Sequence, residues 1–338
     1  MELFNLLVTG GAGFIGSHFV KYARNSGQFD TIVVFDKLTY AADLERLEGV
    51  TYTLEVGDVK DIGNLTEVLT KYQIDYVIHF AAESHVDRSL ADLSPFIETN
   101  IIGTASVIQA IRHYQNKHGL KKYLHISTDE VYGSRSYETV AATELDQLSP
   151  TNPYAATKAA ADQLVIELIN EAICSTLIVR SSNVYGMAQN KEKLIPKSLE
   201  AILQNHPVTL YGNGLNQRSW LYVEDYCEIL LMLLLDGVTG EIFNLSGKET
   251  LTNQALIGEM QKCYHEIFKQ NSLPIVYVKD REKHDVGYHI SDEKLMGYLA
   301  DRGAMVSYKR IVDFFKAYMN EAKNGMDRSE ANRIKNEK

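Results

Sequence analysis

The first residues restrict this chain to one kind of architecture. The apolar run Leu6-Leu7-Val8 leads into Gly10-Gly11-Ala12-Gly13-Phe14-Ile15-Gly16, and the helix-competent stretch Ser17 to Arg24 follows. Gly11, Gly13 and Gly16 satisfy G-x-G-x-x-G, while Gly10, Gly13 and Gly16 satisfy the wider G-x-x-G-x-x-G. A strand, a glycine turn and a helix in this order bring backbone close to a pyrophosphate at a helix N-terminus, where free N–H groups and the helix dipole favour negative charge. A second apolar run, Thr31 to Phe35, ends in Asp36, at the spacing where a carboxylate accepts both ribose hydroxyls of an adenosine. A carboxylate there repels a 2′-phosphate, so the expected cofactor is NAD rather than NADP.

Further strand-like runs alternate with helical segments: Thr51 to Val56, Tyr76 to Phe80, Lys122 to Ile126 and Thr176 to Val179. Alternation of this kind predicts a parallel sheet covered on both faces. Ligands of such sheets sit beyond the carboxyl ends of the strands. Polar residues gather there: Asp58, then Ala81-Ala82-Glu83-Ser84-His85, then Ser127-Thr128-Asp129-Glu130, then Ser182-Asn183. After about residue 180 the pattern changes, with Pro196, Pro207 and the turn-like Tyr211-Gly212-Asn213-Gly214. The expected fold is α/β, a Rossmann-type doubly wound parallel sheet with a smaller C-terminal substrate-binding lobe. Residues 1–180 form the NAD-binding domain in this reading. Residues 181–320 form mainly the lobe, with segments returning to the first domain, and 321–338 form a charged, flexible tail without apolar periodicity.

Composition excludes several classes. The formal net charge of −10 comes without a basic cluster, so neither nucleic acid nor an anionic membrane surface is an expected partner. Cys174, Cys227 and Cys263 are odd in number and widely spaced, which predicts reduced structural thiols in a cytoplasmic protein. The ten histidines show no ligand spacing with these cysteines, so no metal is expected. The first strand starts within a few residues of Met1, and no secretory leader is expected. The apolar run Ile229 to Leu235 is far too short to span a bilayer and reads as a buried helix.

Two short motifs carry chemistry. Tyr154 and Lys158 lie one helical turn apart and share a face. An ammonium beside a phenol favours the phenolate, so Lys158 is expected to lower the Tyr154 pKa from its usual value of about 10. Tyr154 can then take a hydroxyl proton as hydride leaves for NAD. Y-x-x-x-K alone is common by chance, and its weight here comes from the fingerprint upstream. The adjacent carboxyls Asp129 and Glu130 cannot both ionise freely, so one is expected to remain an acid at neutral pH.

The chain resembles the extended short-chain dehydrogenase/reductase family, and within it the nucleotide-sugar 4,6-dehydratases, from about residue 5 to residue 290. The resemblance is carried by Val8 to Gly16, Asp36-Lys37-Leu38-Thr39-Tyr40, Ala81 to Asp87, Glu98-Thr99-Asn100, His125 to Gly133, Asn152-Pro153-Tyr154, Glu192-Lys193-Leu194-Ile195-Pro196 and Trp220 to Asp225. It implies that Tyr154 deprotonates the sugar C4 hydroxyl and that Thr128 orients the oxygen at C4. It also implies that Glu130 removes the C5 proton, and that protonated Asp129 donates to the departing C6 hydroxyl. The implied substrate is a nucleotide sugar, dTDP-glucose first. The alternatives are a UDP- or CDP-glucose dehydratase, a UDP-sugar 4-epimerase or decarboxylase, and a catalytically silent NAD-binding protein. Asp129 speaks against the epimerase and decarboxylase, since neither needs an acid at C6.

The same resemblance assigns NAD to Gly10, Gly13, Phe14, Ile15, Gly16, Asp36, Lys37, Thr39, Asp58, Val59, Ala81, Ala82, Thr99, Tyr154, Lys158 and Asn183. It assigns the sugar nucleotide to Ser84, Thr128, Asn183, Glu192, Lys193, Tyr211, Arg218, Asn253, Arg281 and Tyr288. Arg218 and Arg281 suit phosphate oxygens, and Tyr211 can stack on a base. Relatives usually carry Arg-Pro-Gly-His-Asp, a pair containing arginine, then Tyr. Here the segment reads Arg281-Glu282-Lys283-His284-Asp285-Val286-Gly287-Tyr288, which alters the charge around the nucleotide. The resemblance further implies a homodimer packed through Thr104 to Lys117 and Tyr154 to Asn170.

Overall fold

The computed structural model describes residues 3–281 and 284–336, with side chains through residue 325. The Glu282/Lys283 change therefore lies outside the described residues. The first strands are β1 (Phe4–Thr9), β2 (Phe29–Asp36), β3 (Thr53–Val56), β4 (Tyr76–His79), β5 (Lys122–Thr128) and β6 (Ser175–Ser181). With β10 (Glu241–Leu245) they form a seven-stranded sheet of order β10-β6-β5-β4-β1-β2-β3, parallel throughout. Its strands are apolar on both faces because helices cover both. Leu6, Val8, Ile32 and Val34 enter one core, and Leu7, Val33, Phe35 and Val77 enter the other.

The strand order turns back between β1 and β4, so their carboxyl ends open a crevice. Above it lie two small sheets. One pairs β7 (Asn183–Tyr185) parallel to β9 (Gln217–Tyr222) and β9 antiparallel to β11 (Glu249–Thr252). The other pairs β8 (Val208–Tyr211) parallel to β12 (Ile275–Val278). The chain thus leaves the main sheet after β6, lays down β7, β8 and β9 of the upper layer, returns through β10, and completes that layer with β11 and β12.

The helix Pro153–Glu171 carries Tyr154 and Lys158 to the crevice. It starts where the sequence dictates: Asn152 Oδ1 accepts from Ala155 N at 2.8 Å, and Pro153 occupies the first turn, where its missing N–H costs nothing. Deeper in the same helix, fully buried Asp162 pairs with the guanidinium of Arg180, Oδ2 to Nε at 2.8 Å. Arg180 Nη1 also donates to Tyr132 Oη at 2.7 Å. Asp162→Ala leaves that cation buried without its counter-charge and is expected to lower stability by about 3–5 kcal/mol, measurable by urea unfolding.

Ile229 to Leu235 lies inside the helix Val223–Leu235, with Ile229, Leu230, Leu233 and Leu234 fully buried. The three cysteines are free and buried. Among the described residues no helix is long and apolar enough to cross a membrane. The charged segment from Glu321 is not structureless backbone: it continues a helix that runs Ile311–Asn336. Residues such as Glu321, Ala322 and Lys323 favour helix by intrinsic propensity even where an apolar stripe is missing.

Candidate active site

The glycine turn is built too tightly for side chains. A Cβ on Gly10, whose φ is +69°, would sit 2.6 Å from Ala81 N, and one on Gly16 would sit 2.8 Å from Gly11 Cα. Only bare backbone fits where the helix Phe14–Asn25 begins, which leaves its first N–H groups facing the crevice. Asp36 Oδ2 accepts from Ala12 N at 3.0 Å and Oδ1 from Leu38 N at 2.8 Å, so the turn itself aims the carboxylate. Each oxygen keeps a further lone pair for a ribose hydroxyl. This cradle and acceptor fit an adenine dinucleotide. Gly16→Ala is expected to weaken NAD retention by about tenfold or more, since Gly10 O and Gly11 would have to move; the ratio of nucleotide to protein absorbance after gel filtration measures it.

A cleft of about 260 Å³ runs from this turn to the carboxyl end of β5. Gly10, Gly13, Phe14, Ile15, Gly16, Ala82, Thr128, Asp129, Glu130, Tyr154, Lys158 and Asn183 all line it. Asp36, Lys37, Thr39, Asp58, Val59, Ala81 and Thr99 do not line it. Of these, Lys37 and Asp58 form an ion pair at 2.8 Å, and Val59 is buried. A second cleft of about 610 Å³ opens beneath the small sheets. It is lined by Ser84, Asn183, Glu192, Lys193, Tyr211, Arg218, Asn253, Arg281 and Tyr288, every residue expected at the sugar nucleotide except Thr128. Glu130, Ser84, Asn183 and Lys193 line both clefts and mark where they meet.

The carboxyls differ in environment. Asp129 is 3% exposed, and burial, then the neighbouring Glu130, push its pKa well above the usual carboxylate range. Glu130 is also pushed up by burial, but Asn152, Arg218 and Tyr288 pull it back. Asn152 Nδ2 donates to Glu130 Oε2 at 2.8 Å. The pair is therefore set to hold one proton, on Asp129, beside an ionised Glu130.

The expected lowering of the Tyr154 pKa is not what the structure gives. Burial, then the charge of Glu130, raise it above 10, and a hydrogen bond from Thr128 offsets only part of this. Lys158 Nζ donates instead to the Ile126 carbonyl at 2.8 Å. Burial brings the Lys158 ammonium down to about 8, with Asp162 holding it up. Nor do the two arginines form a free fork. Arg281 pairs with Asp87 at 3.0 Å and lies 4.5 Å over the Tyr211 ring, while Arg218 lies 4.4 Å over Tyr288.

Several lining residues carry no catalytic or binding role in the sequence reading. Asn152 and Asp285 contact Glu130 and Tyr288, and His85, Gln189 and Trp220 line the larger cleft. Buried His85 Nδ1, Gln189 Oε1, Trp220 Nε1 and Arg281 Nε have no hydrogen-bond partner among the described residues. Trp220 had a signal: it stands two residues after Arg218 on β9, and strand alternation puts both on one face.

This fold and site define a dinucleotide-dependent enzyme with a second cleft adjoining the dinucleotide cradle. The chain belongs to the NAD dependent epimerase/dehydratase family, which it matches over residues 6–246. It is 37% identical over 309 residues to a dTDP-glucose 4,6-dehydratase of Haemophilus influenzae, covering 87% of this chain and 91% of that one. It is 38% identical over 310 residues to dTDP-glucose 4,6-dehydratase 1 of Escherichia coli, covering 86% of each. The crystal structure of dTDP-glucose 4,6-dehydratase from Streptomyces venezuelae, with NAD and TYD bound, superposes with a TM-score of 0.83 at 36% identity, covering 93% of this chain and 95% of that one.

Proposed function

We propose that this protein is an NAD-dependent nucleotide-sugar 4,6-dehydratase acting on dTDP-glucose. The observation that carries the reading is the buried Asp129 beside Glu130 at the junction of the two clefts. NAD, held by the glycine turn and Asp36, would supply a hydride acceptor for C4 and a hydride donor for C6, and its positive ring would favour the Tyr154 phenolate. Tyr154 takes the C4 hydroxyl proton, with Thr128 orienting that oxygen. The resulting 4-keto group acidifies C5–H, and Glu130 takes that proton. Asp129 gives its proton to the C6 hydroxyl, which leaves as water. With hydride returned to C6 and the proton returned from Glu130 to C5, the product is a 4-keto-6-deoxy sugar. Lys193, Arg218 and Arg281 supply positive charge for the diphosphate.

An epimerase would need no acid for a C6 hydroxyl. The protein is further proposed to be a cytoplasmic homodimer joined through the helices Thr104–Gln115 and Pro153–Glu171. The test is incubation with dTDP-, UDP- and CDP-glucose separately, following loss of one water by mass. Dehydration of dTDP-glucose in preference to the others supports the reading, and absence of water loss from all three overturns it. Trp220 is the one tryptophan in the sequence and lines the larger cleft, so its emission reports occupancy of that cleft independently of turnover.

A further inference from the structure

We propose that Asp285 is a positioning residue that sets the strength of Glu130 as a base, acting through the hydroxyl of Tyr288. The inference rests on the dehydratase reading above. Tyr288 Oη lies 2.6 Å from Asp285 Oδ2 and 3.2 Å from Glu130 Oε2. A phenol has one proton for these two carboxylates, and the shorter contact holds it. Thr151 Oγ1 lies 2.7 Å from both Asp285 oxygens, and the next residue, Asn152, donates to Glu130 Oε2 at 2.8 Å. The cap of the Tyr154 helix thereby fixes both carboxylates. Asp285 and Tyr288 are each 6% exposed, so water competes little for these bonds.

The consequence lies in which oxygen of Glu130 works. Asn152 and Tyr288 both reach Oε2, which leaves Oε1 to take a proton from substrate. A full hydrogen bond from Tyr288 to Glu130 would favour the carboxylate and make it a weaker base. Asp285 prevents this by holding the tyrosine proton, and its own charge opposes ionisation of Glu130. The segment cannot slide to another register. A Cβ on Gly287 would meet Arg135 O at 2.9 Å and the Tyr137 ring at 3.0 Å, and Arg135 N donates to Gly287 O at 2.8 Å. The close approach at Gly287 thus keeps Asp285 and Tyr288 seated against Glu130. The other groups facing Glu130 are Asp129 on its own turn, Tyr154 on the catalytic helix, Lys193 after β7 and Arg218 on β9. All four stay unchanged in the variants below.

The test is the pH profile of kcat for water loss from dTDP-glucose, whose acid limb reports ionisation of the base in the substrate complex. Asp285→Asn replaces a charged acceptor by a neutral one, so the tyrosine proton turns toward Glu130. The acid limb is expected to move to lower pH by on the order of one unit, with kcat lowered about tenfold. Tyr288→Phe removes the donor and is expected to move the limb to higher pH. Shifts of opposite sign support the proposal; shifts of the same sign, or none, overturn it. Should Asp285→Asn not fold, Thr151→Val decides. It strips Asp285 of its other donor and tightens its hold on the tyrosine proton, so an upward shift sustains the proposal and an unmoved limb ends it. Wild-type protein that releases no water removes the dehydratase reading itself, whereas wild-type turnover with unmoved limbs removes only the role of Asp285.

Discussion

Asp129→Asn is expected to stop water loss while leaving the first oxidation in place. The amide keeps the shape of the side chain and its contact with Thr128, which lies 3.3 Å from Oδ1 in the native protein. It cannot deliver a proton to the C6 hydroxyl, and hydroxide is a poor leaving group without one. General acids of this kind contribute about 10²–10⁴-fold, and the overall rate is expected to fall by that amount. The oxidised sugar then builds up on the enzyme. Acid quenching and mass spectrometry should find a nucleotide sugar that has lost two hydrogens but still carries its C6 oxygen. Unchanged water loss would remove Asp129 from the chemistry.

Tyr154→Phe is expected to fail earlier. Without the phenol no group in reach of Thr128 takes the C4 proton, so the sugar is recovered unaltered and neither the keto form nor the dehydrated product accumulates. A loss of about 10²–10⁴-fold in both measurements is expected. Affinity for the nucleotide sugar, read from Trp220 emission, should change little, because Tyr154 lines the smaller cleft and Trp220 the larger. The two variants therefore separate the first proton transfer from the third by what is left in the tube.

The parts of this site that the sequence revealed are those written in adjacent residues. The glycine turn, Thr128-Asp129-Glu130 and the Tyr154/Lys158 spacing are local, and a strand or helix of known period converts spacing into a shared face. What stayed hidden depends on the chain meeting itself. Thr151 and Asp285 are 134 residues apart, and Glu130 and Tyr288 are 158 apart, so no periodicity joins them. The Tyr154 pKa departs from its expected lowering for the same reason. The ammonium one turn away is visible in the sequence, but the burial and the Glu130 charge that outweigh it are tertiary. The end of the helix through Asn336 lacks an apolar stripe, so residue propensity rather than periodicity marks it.

The return of β10 to the main sheet constrains how the protein can be cut and how it can be made. Its five residues, Glu241–Leu245, pair with Leu177–Ser181 of β6, more than fifty positions earlier. A fragment ending near residue 180 would contain every strand before it yet leave the N–H and C=O groups of β6 bare along one side, a template for sticking to another chain. On the ribosome the same edge stays open until Leu245 has emerged. The dinucleotide half of this molecule is therefore contiguous in function but not in synthesis, and it is completed only after three strands of the layer above it have been made.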